Sequence, residues 1–321
     1  MTASSSRLDQ LRKITTVVAD TGDLDAVRTF QPTDCTTNPS LILKAVQMER
    51  YRPLVDEAIA WARKTGAKGE ALVSETVDRL SVVFGVELSK LVPGLVSTEV
   101  DADLSFDAQG TMEKARRLLA LYREKGLGQE RILIKIAATW EGIEAARQLE
   151  KEGIRCNMTL LFSLAQAMAC AQAGVFLISP FVGRIMDWHA KAQGRTFAAH
   201  EDPGVQTIRT IYAHYKSLGY KTVVMVAAFR NAGQVLELAG CDRMTIPPAQ
   251  LEELAKTQGD VPVKLSPALV KDIPVRRMDL DEKAFRWAMN QDAMATEKLA
   301  EGIRNFAADL EKVKVIVRGL V

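Results

Sequence analysis

Eight short runs of strand-like composition recur along the chain, and most are followed by a stretch of helical periodicity. The runs cover residues 15–20, 34–38, 95–101, 131–137, 155–160, 175–180, 221–227 and 243–247. Helical segments with apolar residues near i, i+3, i+4 and i+7 include 51–64, 111–126, 139–153 and 163–174. Strands that alternate with helices form parallel sheets. Eight of them predict a single closed (β/α)8 barrel of the TIM type, and a doubly wound open sheet is the alternative fold.

The length of 321 residues fits one barrel with insertions, since such barrels typically take about 250 residues. No GxGxxG or GxxxxGK[ST] loop opens any of the helices, which argues against a nucleotide-binding open sheet. The only linker-like stretch, 64–70, lies between two helical patterns, so we expect one domain over residues 1–321. Two helical segments after Pro274, at 280–302 and 303–317, are predicted as additions that pack on the barrel or cover one face.

Composition narrows the functional classes. The formal charge is +2, from 42 Lys and Arg against 40 Asp and Glu, so no overall field favours nucleic acid or an anionic membrane as a partner. The opening MTASSSRLDQLRK has no apolar core, and no apolar run approaches the ~18 residues of a membrane span, which predicts a cytoplasmic protein.

The inventory of metal-binding side chains is small. Four cysteines, Cys35, Cys156, Cys170 and Cys241, are scattered without a CxxC motif, and the chain has three histidines. We therefore expect buried, reduced thiols, no metal site and no cofactor.

Reactive side chains occur where apolar strands end. The strand runs carry Asp20, Asn38, Glu99, Lys135, Thr159 and Ser179 at or near their carboxyl ends. Active sites of (β/α)8 barrels lie at this face. Because strand side chains alternate, Lys135 shares a face with Leu133 and Ala137, opposite three isoleucines at 132, 134 and 136. The isoleucines are expected to meet the helices, which directs Lys135 into the barrel. The same alternation places Ser97, Glu99 and Asp101 on one face.

A lysine inside a barrel indicates nucleophilic chemistry. An enclosed amine loses hydration, which favours the neutral form that attacks a carbonyl. Asp20 and Glu99, on other strand ends, provide the proton transfers that imine formation and carbon–carbon cleavage require. The alternatives are a lysine that reaches water from a strand end and acids used in salt bridges or helix caps. For Asn38, Thr36 and Thr159 the alternatives are turn and capping roles.

Two arginines follow late strands. Arg184 lies in SPFVGR after the sixth strand run, and Arg230 lies in AAFRN after the seventh. Both are at the face expected to be functional, where a guanidinium binds phosphate well. The alternative for each is an ordinary solvated surface arginine.

Two long motifs resemble those of one enzyme family. DCTTNPSLI (34–42) and ILIKIAATWEGIEAARQL (132–149) are similar to the two signatures of the transaldolases, the second of which contains a Schiff-base lysine. LVSTEVDADLS, CNMTLLFS, LISPFVGRIMDW, HEDPGV and LAGCDRMTI extend the similarity. The resemblance covers nearly the whole chain, from residue 15 to the C-terminal helices.

The resemblance implies a function and a role for each matching residue. Members transfer a dihydroxyacetone unit from sedoheptulose 7-phosphate to glyceraldehyde 3-phosphate, in the non-oxidative pentose phosphate pathway, and are often homodimers. Lys135 would form the imine, with Asp20 as acid and base and Glu99 acting through a water held with Thr159. Asn38, Asn157 and Ser179 would bind dihydroxyacetone hydroxyls, and Arg184 and Arg230 would bind phosphate. Thr36 and Phe181 complete the expected set of substrate-binding residues.

One position departs from the pattern, and two rival functions stay open. Familiar members read GASFRN where this chain has Ala227, Ala228 and Phe229 before Arg230, so Ala228 lacks a hydroxyl that would contact phosphate. We expect a raised KM that falls on Ala228→Ser. Related aldolases that release free dihydroxyacetone from fructose 6-phosphate have Tyr and Gln where this chain has Phe181 and Glu99. A non-catalytic sugar-phosphate-binding barrel is the other alternative.

Overall fold

The computed structural model describes residues 5–321. Residues 1–4, the start of the opening segment discussed above, lie outside the described residues. Eight parallel strands close into a barrel in chain order, β1 to β8, with β8 paired to β1. The strands are Thr16–Asp20, Asp34–Thr36, Val96–Glu99, Ile132–Ala137, Cys156–Leu161, Leu177–Pro180, Val223–Val226 and Arg243–Ile246. The predicted (β/α)8 barrel is confirmed, and the open sheet is excluded.

Alternation along the strands separates the barrel interior from its helical layer. On β4, Ile132, Ile134 and Ile136 belong to the large core that the strands share with the helices. Leu133 belongs instead to a small inner cluster with Val18, Leu177 and Met225. This apolar cluster lies below the level of Lys135 in the barrel interior.

Helices surround the strands. Those before β5 are α1 Arg7–Leu11, α2 Leu24–Phe30, α3 Pro39–Val46, α4 Arg52–Lys64, α5 Glu70–Ser89, α6 Ala108–Glu124 and α7 Trp140–Lys151. Those after it are α8 Leu164–Ala173, α9 Val182–Gln193, α10 Pro203–Ser217, α11 Ala232–Glu237, α12 Pro248–Lys256, α13 Pro267–Val270, α14 Glu282–Gln291 and α15 Ala293–Arg318. Short 3-10 helices cover Glu49–Tyr51, Ala102–Phe106, Gln129–Arg131 and Ala199–Glu201. Between residues 5 and 321, no helix is long and apolar enough to cross a membrane.

The predicted boundary between the two C-terminal helices is wrong. The break lies at Asp292, whose side chain caps α15 by accepting a hydrogen bond from the Ala295 amide, and α15 continues through Gly302. A glycine that looks like a helix end is used here for close packing, because a Cβ on Gly302 would lie 2.6 Å from Leu160 Cδ2. This contact brings α15 down onto the carboxyl end of β5.

Candidate active site

A cavity lies at the carboxyl end of the barrel and has a volume of about 360 Å³, counted together with its opening to solvent. Its lining residues are Asp20, Thr36, Asn38, Lys135, Ser179, Phe181, Arg184, Ala227, Ala228, Thr245 and Phe306. Seven of the eleven residues predicted for the site therefore meet at one cavity. Glu99, Asn157, Thr159 and Arg230 lie outside this lining, and Glu99 borders a neighbouring cavity together with Asn38.

Lys135 is buried inside the barrel. Its Nζ lies 3.1 Å from Glu99 Oε2 and donates a hydrogen bond to the Thr37 carbonyl at 3.2 Å. The side chains of Lys135 and Glu99 keep only 5% and 4% of their exposure. The two residues are direct neighbours because β3 and β4 pair with Glu99 opposite Lys135. Lys135 thus forms an interior ion pair and does not reach bulk water.

The two acids have environments that resist ionisation. Burial raises the pKa of Glu99, and the charge of Lys135 opposes that rise. Burial likewise raises the pKa of Asp20, opposed by Lys135 and by the hydrogen bond that Thr36 Oγ1 donates to Asp20 Oδ1 at 3.1 Å. Both carboxyl groups therefore keep their protons to a higher pH than an ordinary carboxyl group does.

Two buried oxygen atoms near the lysine have no hydrogen-bond partner among residues 5–321. They are Thr159 Oγ1 and Glu99 Oε2, whose contact with Lys135 is close but not aligned as a hydrogen bond. Buried polar atoms are seldom left unpaired. Thr159 is fully buried on β5. Its neighbour in the strand register is Ala137 of β4, two residues beyond Lys135. A water molecule or a substrate oxygen would satisfy these atoms.

Asn157 is fully buried and both ends of its amide are paired. Ser179 Oγ donates to Asn157 Oδ1 at 2.7 Å, and Asn157 Nδ2 donates to Ser97 Oγ at 3.1 Å. These bonds fix the Ser179 hydroxyl at the cavity wall. Asn157 itself does not line the cavity.

Thr36 and Asn38 combine local and site contacts. Thr36 Oγ1 lies 2.7 Å from Thr245 Oγ1 and also contacts Asp20, so its hydroxyl is engaged on both sides. Asn38 Oδ1 accepts the Leu41 amide at 3.0 Å and caps α3, which begins at Pro39. The capping role anticipated for Asn38 is present, and the same residue borders the cavity.

Arg184 enters the cavity from the first turn of α9. Its guanidinium carbon lies 4.9 Å from the ring centre of Phe181 and 5.6 Å from that of Phe306. Burial, and then the nearby charge of Arg230, lower the pKa of Arg184. Such a partly desolvated guanidinium between aromatic rings is a strong binding group for an anion.

Arg230 lies at the exposed rim and is already paired. Its Nη2 and Nε donate to Asp187 Oδ2 at 2.8 Å and 3.0 Å. Ala228, two residues before Arg230, has a φ angle of 61°. This value lies in the left-handed region that residues other than glycine seldom adopt. The backbone of the loop after β7 is therefore in an unfavourable conformation at Ala228, where the loop borders the cavity.

Sequence reasoning did not assign three of the lining residues, Ala227, Thr245 and Phe306, to the site. Thr245 was detectable, because alternation on the eighth strand run directs it inward. Phe306 gave no local signal, since only the packing of α15 brings it to the cavity. Asp101 lies beyond the end of β3, which stops at Glu99, and its carboxylate pairs with Lys114 at 3.0 Å. Like Glu99, it borders the neighbouring cavity and not the one that Lys135 lines.

The comparisons with known proteins agree with this geometry. The model of the family Transaldolase/Fructose-6-phosphate aldolase matches residues 17–315. The chain belongs to this family. A transaldolase of Agrobacterium fabrum is 59% identical over 314 residues, covering 98% of this chain and 97% of that protein. Transaldolases of Pseudoalteromonas atlantica and Photorhabdus laumondii are each 57% identical over 318 residues, covering 99% of this chain and all of theirs.

Membership of the transaldolase and fructose-6-phosphate aldolase family makes the chain an enzyme. The barrel, the interior lysine and the two acids are therefore parts of an enzyme of this family. The match spans the strands that carry Asp20, Glu99 and Lys135 as well as most of α15.

Proposed function

We propose that the chain is a transaldolase that acts on phosphorylated sugars through a Schiff base at Lys135. The donor is sedoheptulose 7-phosphate and the acceptor is glyceraldehyde 3-phosphate, giving erythrose 4-phosphate and fructose 6-phosphate. The observation that carries the proposal is the buried contact of Lys135 with Glu99, next to a cavity that Asp20 also faces.

The chemistry follows from these three groups. The Lys135 amine, after giving a proton to Glu99, attacks the donor carbonyl, and loss of water forms an imine. Asp20 then removes the proton of the hydroxyl on C4, the C3–C4 bond breaks, and the electron pair moves into the protonated imine. The acceptor aldehyde adds at the same carbon, Asp20 returns the proton, and water hydrolyses the new imine.

We assign the water steps to Glu99 and Thr159. Their unpaired oxygen atoms would hold the water that leaves and re-enters at the imine carbon. The raised pKa of Glu99 suits a group that must both accept and donate a proton.

The remaining residues supply substrate contacts in the proposal. Thr36, Asn38 and Ser179 offer hydroxyl or amide groups to the dihydroxyacetone unit, and Asn157 orients Ser179. Phe181 forms an apolar wall, and Arg184 and Arg230 receive the phosphate. The pair between Arg230 and Asp187 is exposed, so a phosphate dianion would compete with it.

Transfer is favoured over release of free dihydroxyacetone by the apolar side of the cavity. Phe181 is 5% exposed and Phe306 is 2% exposed, and neither ring provides a proton to the carbanion left after cleavage. The test measures erythrose 4-phosphate formation and free dihydroxyacetone in one reaction mixture. Formation of free dihydroxyacetone at the rate of transfer would assign the chain to the aldolase branch.

We further propose that the enzyme works in the cytoplasm without a cofactor. We also propose that it is a homodimer and that residues 1–321 form one domain. Light scattering measures the oligomeric state, and a single cooperative unfolding transition is the result expected for one domain. Activity that persists after dialysis against a chelator is expected if no metal takes part.

A further inference from the structure

The loop 227–231 after β7 is fastened to the start of α9. The Ala227 amide donates to the Pro180 carbonyl at 2.9 Å, and the Ala227 carbonyl accepts the Val182 amide at 3.1 Å. Gly183 permits this close approach, because a Cβ there would lie 2.3 Å from the Ala228 carbonyl oxygen. The first half of the loop is therefore held mainly by backbone hydrogen bonds and close backbone packing, with one bond from Arg230 Nη1 to the Ala228 carbonyl at 3.3 Å.

The second half of the loop is held by a buried side-chain relay. The Arg230 amide donates to Gln234 Oε1 at 2.8 Å, and Gln234 Nε2 donates to Asp202 Oδ2 at 2.7 Å. Asp202 Oδ1 in turn accepts the Gly204 amide at 2.7 Å, at the first turn of α10. Gln234 is 0% exposed and Asp202 is 1% exposed, so neither can exchange its partner for bulk water.

The relay has a fixed polarity. The Arg230 amide can only donate, and the ionised Asp202 carboxylate can only accept. Gln234 satisfies both because it presents oxygen to the loop and nitrogen to the carboxylate. If the Gln234 amide were reversed, its nitrogen would face the Arg230 amide, and two donors would meet there.

We infer that Gln234 and Asp202 are positioning residues that hold the Arg230 backbone where its guanidinium meets the substrate phosphate. The inference rests on the proposed function, in which Arg230 is a phosphate ligand. Neither residue touches the cavity, and both act on substrate through Arg230. They should accordingly set the preference for phosphorylated over unphosphorylated aldehydes.

The decisive variant is Asp202→Asn. It keeps the size of the side chain and an oxygen that caps α10, but its new amide group faces Gln234 Nε2. Gln234 must then turn, which sets its nitrogen against the Arg230 amide. Losing this bond is expected to raise the KM for glyceraldehyde 3-phosphate by about 5- to 10-fold. The KM for unphosphorylated glyceraldehyde and both kcat values should stay within about 2-fold, since the groups around Lys135 are unchanged.

A paired exchange tests the polarity directly. In Asp202→Asn combined with Gln234→Glu, the glutamate accepts from both the Arg230 amide and the asparagine amide, and the relay again holds one negative charge. The KM for glyceraldehyde 3-phosphate should return to within about 2-fold of the wild-type value. Gln234→Met offers a second break of similar volume, and thermal unfolding checks that each variant folds.

Two control variants distinguish failure of the positioning role from failure of the proposed phosphate role of Arg230. Gln250→Met removes a long 3.3 Å bond to the Arg230 carbonyl from a half-buried side chain, and should leave the KM unchanged. Arg230→Met should raise the KM for the phosphorylated aldehyde, and its failure to do so would overturn the proposed phosphate role itself. Either of two outcomes would show that the positioning role is wrong. In the first, Arg230→Met raises that KM but folded Asp202→Asn and Gln234→Met do not. In the second, the paired exchange does not restore the KM for glyceraldehyde 3-phosphate.

Discussion

Replacing Thr159 by Val should separate activity from stability. The change replaces a hydroxyl by a methyl group of similar size at a fully buried position, so it opens no cavity. Thr159 Oγ1 has no hydrogen-bond partner within residues 5–321, so its loss leaves no protein donor or acceptor unpaired. The free energy of unfolding of the variant should therefore stay within about 1 kcal/mol of the wild-type value.

The same change should lower activity, because the proposed water between Glu99 and Thr159 loses one anchor. A hydrogen bond to a charged group or its water contributes about 1.5–3 kcal/mol, so kcat/KM is expected to fall by about 10- to 100-fold. The assay couples fructose 6-phosphate formation to a reporter enzyme, and thermal or urea unfolding gives the stability.

Thr98→Val is the matched control. Thr98 is also a buried threonine, but its hydroxyl lies 2.5 Å from the Tyr122 hydroxyl. Its loss leaves Tyr122 unpaired and should cost about 1–3 kcal/mol of stability with little effect on kcat/KM. The reasoning is refuted if Thr159→Val destabilises the protein as Thr98→Val does, or if it retains full activity.

Three other changes give independent tests. Asp187→Asn releases Arg230 from its exposed ion pair, which contributes no more than about 1 kcal/mol. The KM for phosphorylated substrates should therefore fall by about 2- to 5-fold. A rise in this KM would show that Asp187 orients Arg230 in the complex. Ala228→Ser should lower the same KM, because it adds a hydroxyl at the cavity wall, and an unchanged KM would contradict a phosphate contact there. The raised pKa of Asp20 predicts that kcat/KM is lost as pH falls through that raised value, because Asp20 must be ionised to remove the hydroxyl proton. The acid limb should then lie above the ordinary carboxyl value of about 4 in a protein shown by circular dichroism to be folded, and a limb at or below about 4 would contradict this role.

Periodicity predicted the barrel because its strands are apolar on the helix-facing side and are punctuated by helical crossovers. Alternation on β4 was enough to direct Lys135 inward, since only three isoleucines face the helices there. The period of two applies only while the strand lasts, and β3 ends at Glu99, so it does not fix the position of Asp101. Gly302 was misread because sequence does not distinguish a glycine that ends a helix from one that packs closely inside it.

Contacts between distant segments could not be predicted. Phe306 reaches the cavity only because α15 lies against Leu160, and Asp187 pairs with Arg230 only because β6 and β7 are neighbours in the barrel. The relay from Asp202 to Gln234 joins α10 to α11 across 32 residues of sequence. Side chains of this kind carry no local pattern, whereas strand-end residues do.

The central claim is that Lys135 carries the dihydroxyacetone unit between sugars. Incubation with fructose 6-phosphate, reduction with borohydride and peptide mass mapping test it directly, with and without erythrose 4-phosphate. We predict a reduced dihydroxyacetone adduct on Lys135 that disappears when the acceptor is present. A folded protein with an unmodified Lys135 after this treatment would contradict the account.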